Sequence, residues 1–212
     1  MSAPARRTVL AGLGSWALAI GGAPLLAAPI APDDRRLKTA DVRQTVSPGR
    51  TLPMYLALPA RAHGRQPAVL VIHDGSGLDE PTREVARQIA SMGYVACAPD
   101  LFARLRGLGA ATATADPDEA FHDATATLQW LGRNPPGTRV VTGRVCAVGL
   151  GWGSALTRRL AESFGPALAA TIEVRTDAGS SALGGLVPSL RLEAVDDADW
   201  RRAATFLREH LQ

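Results

Sequence analysis

The stretch Val145-Cys146-Ala147-Val148-Gly149-Leu150-Gly151-Trp152-Gly153-Ser154 constrains this chain most. An apolar run breaks at alternating glycines and passes straight into Ala155-Leu156-Thr157-Arg158-Arg159-Leu160, which reads as a helix. Strand, sharp turn and helix therefore follow one another without a linker, and glycine lets the backbone crowd into such a turn. In the G-x-Nuc-x-G form of this motif, the turn lifts a nucleophilic side chain above a sheet. Here the frame is Gly149-x-Gly151-x-Gly153, so the central position carries no side chain. The scaffold of a catalytic turn is legible, and its reactive atom is not.

The surrounding pattern alternates strand and helix. Ala68-Val69-Leu70-Val71-Ile72-His73 is an apolar run rich in β-branched residues, as expected of a central parallel strand covered on both faces. It ends in the glycine loop Asp74-Gly75-Ser76-Gly77. Glu80 to Met92 carries Val85, Ile89 and Met92 on one helical face, with Pro81 suited to a first turn and Gly93 to a stop. Tyr94 to Ala98 reads as the next buried strand, Gly107 to Ala115 as a mobile loop, and Asp118 to Leu131 as a helix ended by Asn134-Pro135-Pro136-Gly137.

Upstream, Val42–Val46 and Leu52–Leu58 flank the turn cluster Ser47-Pro48-Gly49-Arg50 and predict an antiparallel hairpin. Downstream, Leu168–Val174 and Val187–Leu192 are short strand candidates, Asp177 to Gly185 is a loop by composition, and Asp199 to Leu211 is an amphipathic terminal helix. This alternation predicts an α/β fold, a mostly parallel sheet between helical layers with an antiparallel hairpin at its N-terminal side.

With 212 residues, 46% of them hydrophobic, the chain builds one domain. Its formal charge of +3 comes from 23 basic and 20 acidic residues that are interspersed, which leaves no footprint for nucleic acid. Arg6-Arg7 precedes an uncharged stretch from Thr8 to Ile30 with small residues Ala27, Ala28 and Ala31 at its end, the layout of an export signal. Arg6-Arg7-Thr8-Val9-Leu10 resembles the twin-arginine motif. Residues 1–31 are thus expected to direct export to the periplasm or beyond, with residues 32–212 as the folded domain. An uncleaved leader tethering the domain is the alternative, disfavoured because Gly12, Gly14, Gly21, Gly22 and Pro24 make a poor anchor helix.

Four motifs, in order and spacing, resemble the dienelactone hydrolase family of α/β-hydrolases: Pro67 to Asp74, Arg83 to Ala90, Gly93 to Ala96, and Ala98-Pro99-Asp100-Leu101-Phe102-Ala103-Arg104. Gly149-Leu150-Gly151-Trp152-Gly153 resembles that family's G-x-C-W-G with glycine in place of cysteine, and Trp200 to Leu211 resembles its closing helix. The resemblance implies an α/β-hydrolase-like three-layer sandwich, and a substrate that is a small carboxylated ester or lactone. Position by position it places Gly151 where the nucleophile stands and Asp74 where an acidic residue sits beside the resting thiol. The backbone N–H groups of Gly75 and Trp152 take the place of the oxyanion-hole donors, and Arg104 that of an arginine holding the substrate carboxylate.

The departures are as informative. The family's histidine stands in a loop before the closing helix and its aspartate follows a late strand. None of His63, His73, His122 and His210 stands in that loop, and Asp177, Asp196, Asp197 and Asp199 are unassigned candidates for the acid. Only 61 residues follow Gly151, which predicts a fold shortened at its C-terminal end. Ser76 and Ser154 are the hydroxyls nearest the expected site; Ser154, in the first helical turn, is expected to cap or face solvent, and Ser76 to face the pocket without a base. His73 reads as a strand-end histidine with satisfied hydrogen bonds, His122 as a surface residue and His210 as frayed. In the α/β-hydrolase strand order, Cys97 and Cys146 lie on strands about 10 Å apart, two strand spacings, beyond the roughly 7 Å reach of a disulfide, so two buried free thiols are expected. No cofactor or metal site is expected.

Two functional readings follow. One is a family member that has lost its nucleophile and binds a small carboxylated ligand without turnover. The other is an active ester or lactone hydrolase working through a displaced nucleophile such as Ser76, or through a water activated near Asp74.

Overall fold

The computed structural model describes residues 29–62, 64–105, 116–133, 135, 137–174, 187–193 and 196–211. Residues 1–28 of the expected leader, the Gly107–Ala115 and Asp177–Gly185 loops, with Asp177, and His63 lie outside the described residues; Ile30, inside the expected leader, is buried in the core.

Among the described residues, seven strands, β1 (Leu37–Ser47), β2 (Arg50–Pro59), β3 (Gln66–Ile72), β4 (Val95–Pro99), β5 (Val140–Leu150), β6 (Ala170–Val174) and β7 (Ser189–Leu192), form one sheet in the order β1-β2-β4-β3-β5-β6-β7. The β1–β2 and β2–β4 pairs are antiparallel; every other pair is parallel. The expected hairpin is therefore present, longer at both ends than its apolar residues alone suggested.

The helices are α1 (Glu80–Ser91), α2 (Pro117–Gly132), α3 (Gly153–Phe164) and α4 (Asp197–Leu211). Helices α1 and α4 pack one sheet face through Val85, Ile89, Ala203, Leu207 and Leu211; α2 and α3 pack the other through Ala124, Leu128, Leu131, Leu156 and Leu160. This is the expected three-layer sandwich. Two strands, β6 and β7, follow the β5–α3 turn among the described residues.

Local chemistry explains the helix ends. Asp79 accepts the Thr82 N–H at 3.0 Å and caps α1, with proline in its first turn. Asp196 accepts the Asp199 N–H at 2.8 Å and starts α4, so this candidate acid serves a cap. Helix α3 has no side-chain cap.

The cysteines obey the expected geometry for a further reason. Cys97 pairs with Leu70 and Cys146 with Val69 on the two sides of β3, and this one-residue offset sends the thiols to opposite faces of the sheet. Both are free and buried, and burial pushes both thiols well above the ordinary range.

Candidate functional site

Three loops converge at the C-terminal ends of β3, β4 and β5, where ligands of open α/β sheets bind. The loop after β3 carries Asp74, Gly75 and Ser76; that after β4 carries Phe102 and Arg104; that after β5 is Gly151-Trp152. An aromatic trio ties them together. The His73 and Phe102 rings meet edge-on at 4.6 Å, Phe102 and Trp152 at 4.9 Å, and His73 stacks toward Trp152 at 6.2 Å. Sequence reasoning singled out His73 and the Trp152 backbone but missed this trio. Its one signal is that each ring closely follows a buried apolar strand.

The β5–α3 turn explains its own glycines. A Cβ on Gly153 would lie 2.6 Å from the carbonyl oxygens of both Ile72 and His73, and one on Gly149 would lie 2.5 Å from the Gly153 carbonyl oxygen. These two positions are glycine because α3 starts against the end of β3. Gly151 is different: its φ is +47°, in the left-handed region that costs any side chain energy. Its N–H donates to the Val174 carbonyl at 2.8 Å and its carbonyl accepts from the Ser154 N–H at 3.0 Å. The turn thus keeps a taut shape with no side chain at its apex. Among the described residues, no hydrogen bond is made by the N–H of Gly75 or of Trp152. Trp152 precedes the uncapped positive end of α3.

Ser154 departs from expectation. Its side chain is buried, and its hydroxyl points back to the carbonyl oxygens of Gly149 at 3.1 Å and Val174 at 3.2 Å, so it neither faces solvent nor caps the helix. The reason is the tight turn, which carries the first residues of α3 down between β5 and β6.

His73 behaves as the strand-end reading requires. Nδ1–H donates to the Asp74 carbonyl at 2.7 Å and Nε2 accepts the Leu101 N–H at 3.1 Å, which fixes the neutral tautomer. Burial lowers its pKa, against the weaker opposing pull of the Asp74 carbonyl and nearby carboxylates. His122 is exposed on α2, and His210 packs against Phe206 at 4.5 Å in the last turn of α4.

Asp74 Oδ1 accepts the Ser76 N–H at 2.8 Å and also meets the Ser76 hydroxyl, which lies 2.6 Å from Asp79 Oδ2. Two carboxylates, Asp74 and Asp79, thus flank the Ser76 hydroxyl. Arg104 ion-pairs with Glu119 of α2 at the surface. Their hydrogen bond lowers the Glu119 pKa and raises that of Arg104. Among the described residues no group of three or more His, Cys, Asp or Glu is arranged to hold a metal.

Residues 52–175, more than half of the chain, match the profile of the dienelactone hydrolase family. The chain belongs to that family. A candidate carboxymethylenebutenolidase of Methylorubrum extorquens is 36% identical over 100 residues, 47% of this chain and 34% of that protein. A candidate carboxymethylenebutenolidase of Escherichia coli K12 is 31% identical over 110 residues, 52% of this chain and 36% of that protein. These matches span about a third of the relatives' own length.

The crystal structure of a candidate dienelactone hydrolase from Klebsiella pneumoniae superposes with a TM-score of 0.59 at 22% identity, covering 82% of this chain and 81% of that one. A dienelactone hydrolase-like promiscuous phosphotriesterase from metagenomic libraries superposes with a TM-score of 0.56 at 21% identity, covering 82% and 78%. At such identities the superpositions speak for the α/β-hydrolase fold of this dienelactone hydrolase family member.

Proposed function

We propose that this dienelactone hydrolase family protein no longer carries out covalent ester or lactone hydrolysis at the β5–α3 turn, and that it binds a small carboxylated ester, lactone or hydrolysis product there. The observation that carries this reading is Gly151 at the apex of an intact turn. Among the described residues the thiols and the nearest helix hydroxyl do not replace it: both cysteines are buried in the sheet and Ser154 is turned inward, which leaves Ser76, held by Asp74 and Asp79. Both ring nitrogens of His73 are engaged, so it is no general base. Loss of nucleophile and base together costs about a million-fold in turnover when they act as a unit.

Binding is assigned to the open N–H groups of Gly75 and Trp152, which suit a carbonyl or carboxylate oxygen, and to Arg104, which a ligand carboxylate would share with or take from Glu119. The apolar, charge-preceded leader supports export of the protein, as expected from Arg6-Arg7.

The second reading rests on the Ser76 hydroxyl between Asp74 and Asp79. A carboxylate is a weak base for an alcohol, because an ordinary Asp pKa of about 3.9 lies far below that of a hydroxyl. We therefore rank it second.

The test is hydrolysis of small activated esters and a dienelactone by the purified full-length protein, beside Ser76→Ala and Arg104→Ala. The expected result is background turnover in all three, with ligand protection of the wild type lost in Arg104→Ala. Turnover that disappears in Ser76→Ala would establish the second reading and overturn the first.

A further inference from the structure

The end of the sheet opposite the β5–α3 turn carries a second concave site. A cavity of about 300 Å³ opens there between Lys38 of β1, Leu58 and Pro59 at the end of β2, Val95 at the start of β4, and Thr138 and Arg139 before β5. Its volume lies at the lower end of the range that holds small ligands. Leu58, Pro59 and Ala60, each half-buried, give it an apolar wall. Lys38 and Arg139 are exposed, and neither has an ion-pair partner among the described residues. The lining holds no acidic residue.

Two further observations point the same way. Arg139 has φ +52°, the one positive φ outside glycine among the described residues. A long side chain in this region costs roughly 1 kcal/mol. The strained residue puts its carbonyl on the Gln66 N–H at 2.7 Å, beside the register shift between Gln66 and Ala68 that disturbs the β3–β5 ladder at the cavity wall. Glycine at 139 would make the same bend without strain, so something other than the bend favours arginine here.

Charge is also sorted by end. The segments 59–67 and 132–144 that border the cavity contain Arg61, Arg65, Arg133, Arg139 and Arg144 and no acidic residue, whereas the loops at the other end of the sheet carry Asp74, Asp79 and Asp100 beside Arg104; the acids at the cavity end, Asp33 and Asp34, precede β1 and are not in the lining. The C-terminal ends of α1 and α2 face the cavity end and bring about half a negative charge each, which the full charges of Lys38 and Arg139 outweigh.

From the cavity, the unpaired cations and the strained arginine, we infer a binding site for a small organic dianion with a short apolar body, held between Lys38 and Arg139 and separate from the β5–α3 turn. The site stands independently of the proposed function, because it uses none of the same residues.

Titration of the full-length protein with succinate, inorganic phosphate and uncharged succinamide, followed by calorimetry and by backbone amide shifts, tests it. Succinate is expected to bind and succinamide not to, with affinity falling as salt rises, and with shifts at Lys38, Val95 and Thr138 rather than at Arg104 and Trp152. Binding of phosphate as tight as that of succinate would show that the apolar wall contributes nothing and would overturn the organic part of the assignment.

Arg139→Gly is the decisive variant. It relieves the strain, so its thermal midpoint is expected to hold or rise while succinate affinity falls by about ten-fold. Lys38→Gln is expected to weaken binding similarly at unchanged stability. Unchanged affinity in Arg139→Gly, no binding of succinate by the wild type, or shifts centred on Arg104 would each overturn the inference.

Discussion

His73 Nε2 accepts the backbone N–H of Leu101 at 3.1 Å, so an imidazole buried in the core joins the end of β3 to the loop leaving β4. Accepting a hydrogen bond requires an unprotonated nitrogen. Protonation at low pH would turn that acceptor into a donor facing another donor.

This gives a pH dependence with a definite sign. The folded pKa of His73 is lowered, chiefly by burial, so below an ordinary value of about 6.5 the unfolded chain takes up a proton that the folded chain refuses. Its contribution is fully present above that pH and is lost as pH falls. The thermal midpoint is expected to drop between about pH 7 and about pH 5, and the drop should shrink in His73→Asn. Equal slopes in the two proteins would remove His73 as the cause.

The three glycines of the β5–α3 turn should respond differently to alanine. At Gly153 and Gly149 a methyl group meets backbone atoms at 2.5 to 2.6 Å, and the cost is expected to exceed about 3 kcal/mol. At Gly151 the penalty is that of a left-handed residue, about 1 to 2 kcal/mol. Urea unfolding of the single variants checks the ranking.

Gly151→Cys is expected to fold with a similarly small loss and to show no restored turnover. No described histidine is free to activate the thiol, because His73 is fully engaged and His122 and His210 lie on the outer helices. A single-turnover burst with an activated ester would show that a base is present after all.

Glu173 is fully buried on β6, with one carboxylate oxygen 3.4 Å from Arg158 and 3.8 Å from Arg191, and the other without a hydrogen bond. Both arginines retain access to solvent and the glutamate does not. Glu173→Leu is therefore expected to be neutral or stabilising, whereas Arg158→Ala should cost about 2 kcal/mol or more by leaving the buried charge poorly matched. Opposite signs in denaturant midpoints are the expected reading.

Ile30, within the stretch 1–31 expected to be the leader, is gripped from α1. Glu84 accepts the Ile30 N–H at 2.7 Å and Arg87 Nε donates to the Ile30 carbonyl at 2.6 Å, with the isoleucine side chain in the core. If the leader is removed on export, the cut is expected to leave Ile30 in place, which mass measurement of the exported protein reads directly. Arg87→Ala should free this segment to proteolysis and cost about 2 to 3 kcal/mol, since it also strands the buried Glu84.

The sequence by itself determined the layers and the turn. Unbroken apolar runs in Ala68–Ile72 and Val145–Val148 and the 3.6-residue period in Glu80–Met92 report which faces of each element are buried, and burial is written residue by residue. The family resemblance was legible for a related reason, since Gly149 and Gly153 are fixed by backbone approach and survive whether or not chemistry does.

Only the tertiary structure decided what depends on side chains far apart in the chain. It turned Ser154 inward, gave Ser76 two carboxylate partners, paired Arg104 with Glu119, and brought Lys38 and Arg139, a hundred residues apart in the chain, to one cavity. Hydrogen bonds and charge pairs form between whichever groups folding brings within a few ångströms, and a linear pattern carries no measure of that distance.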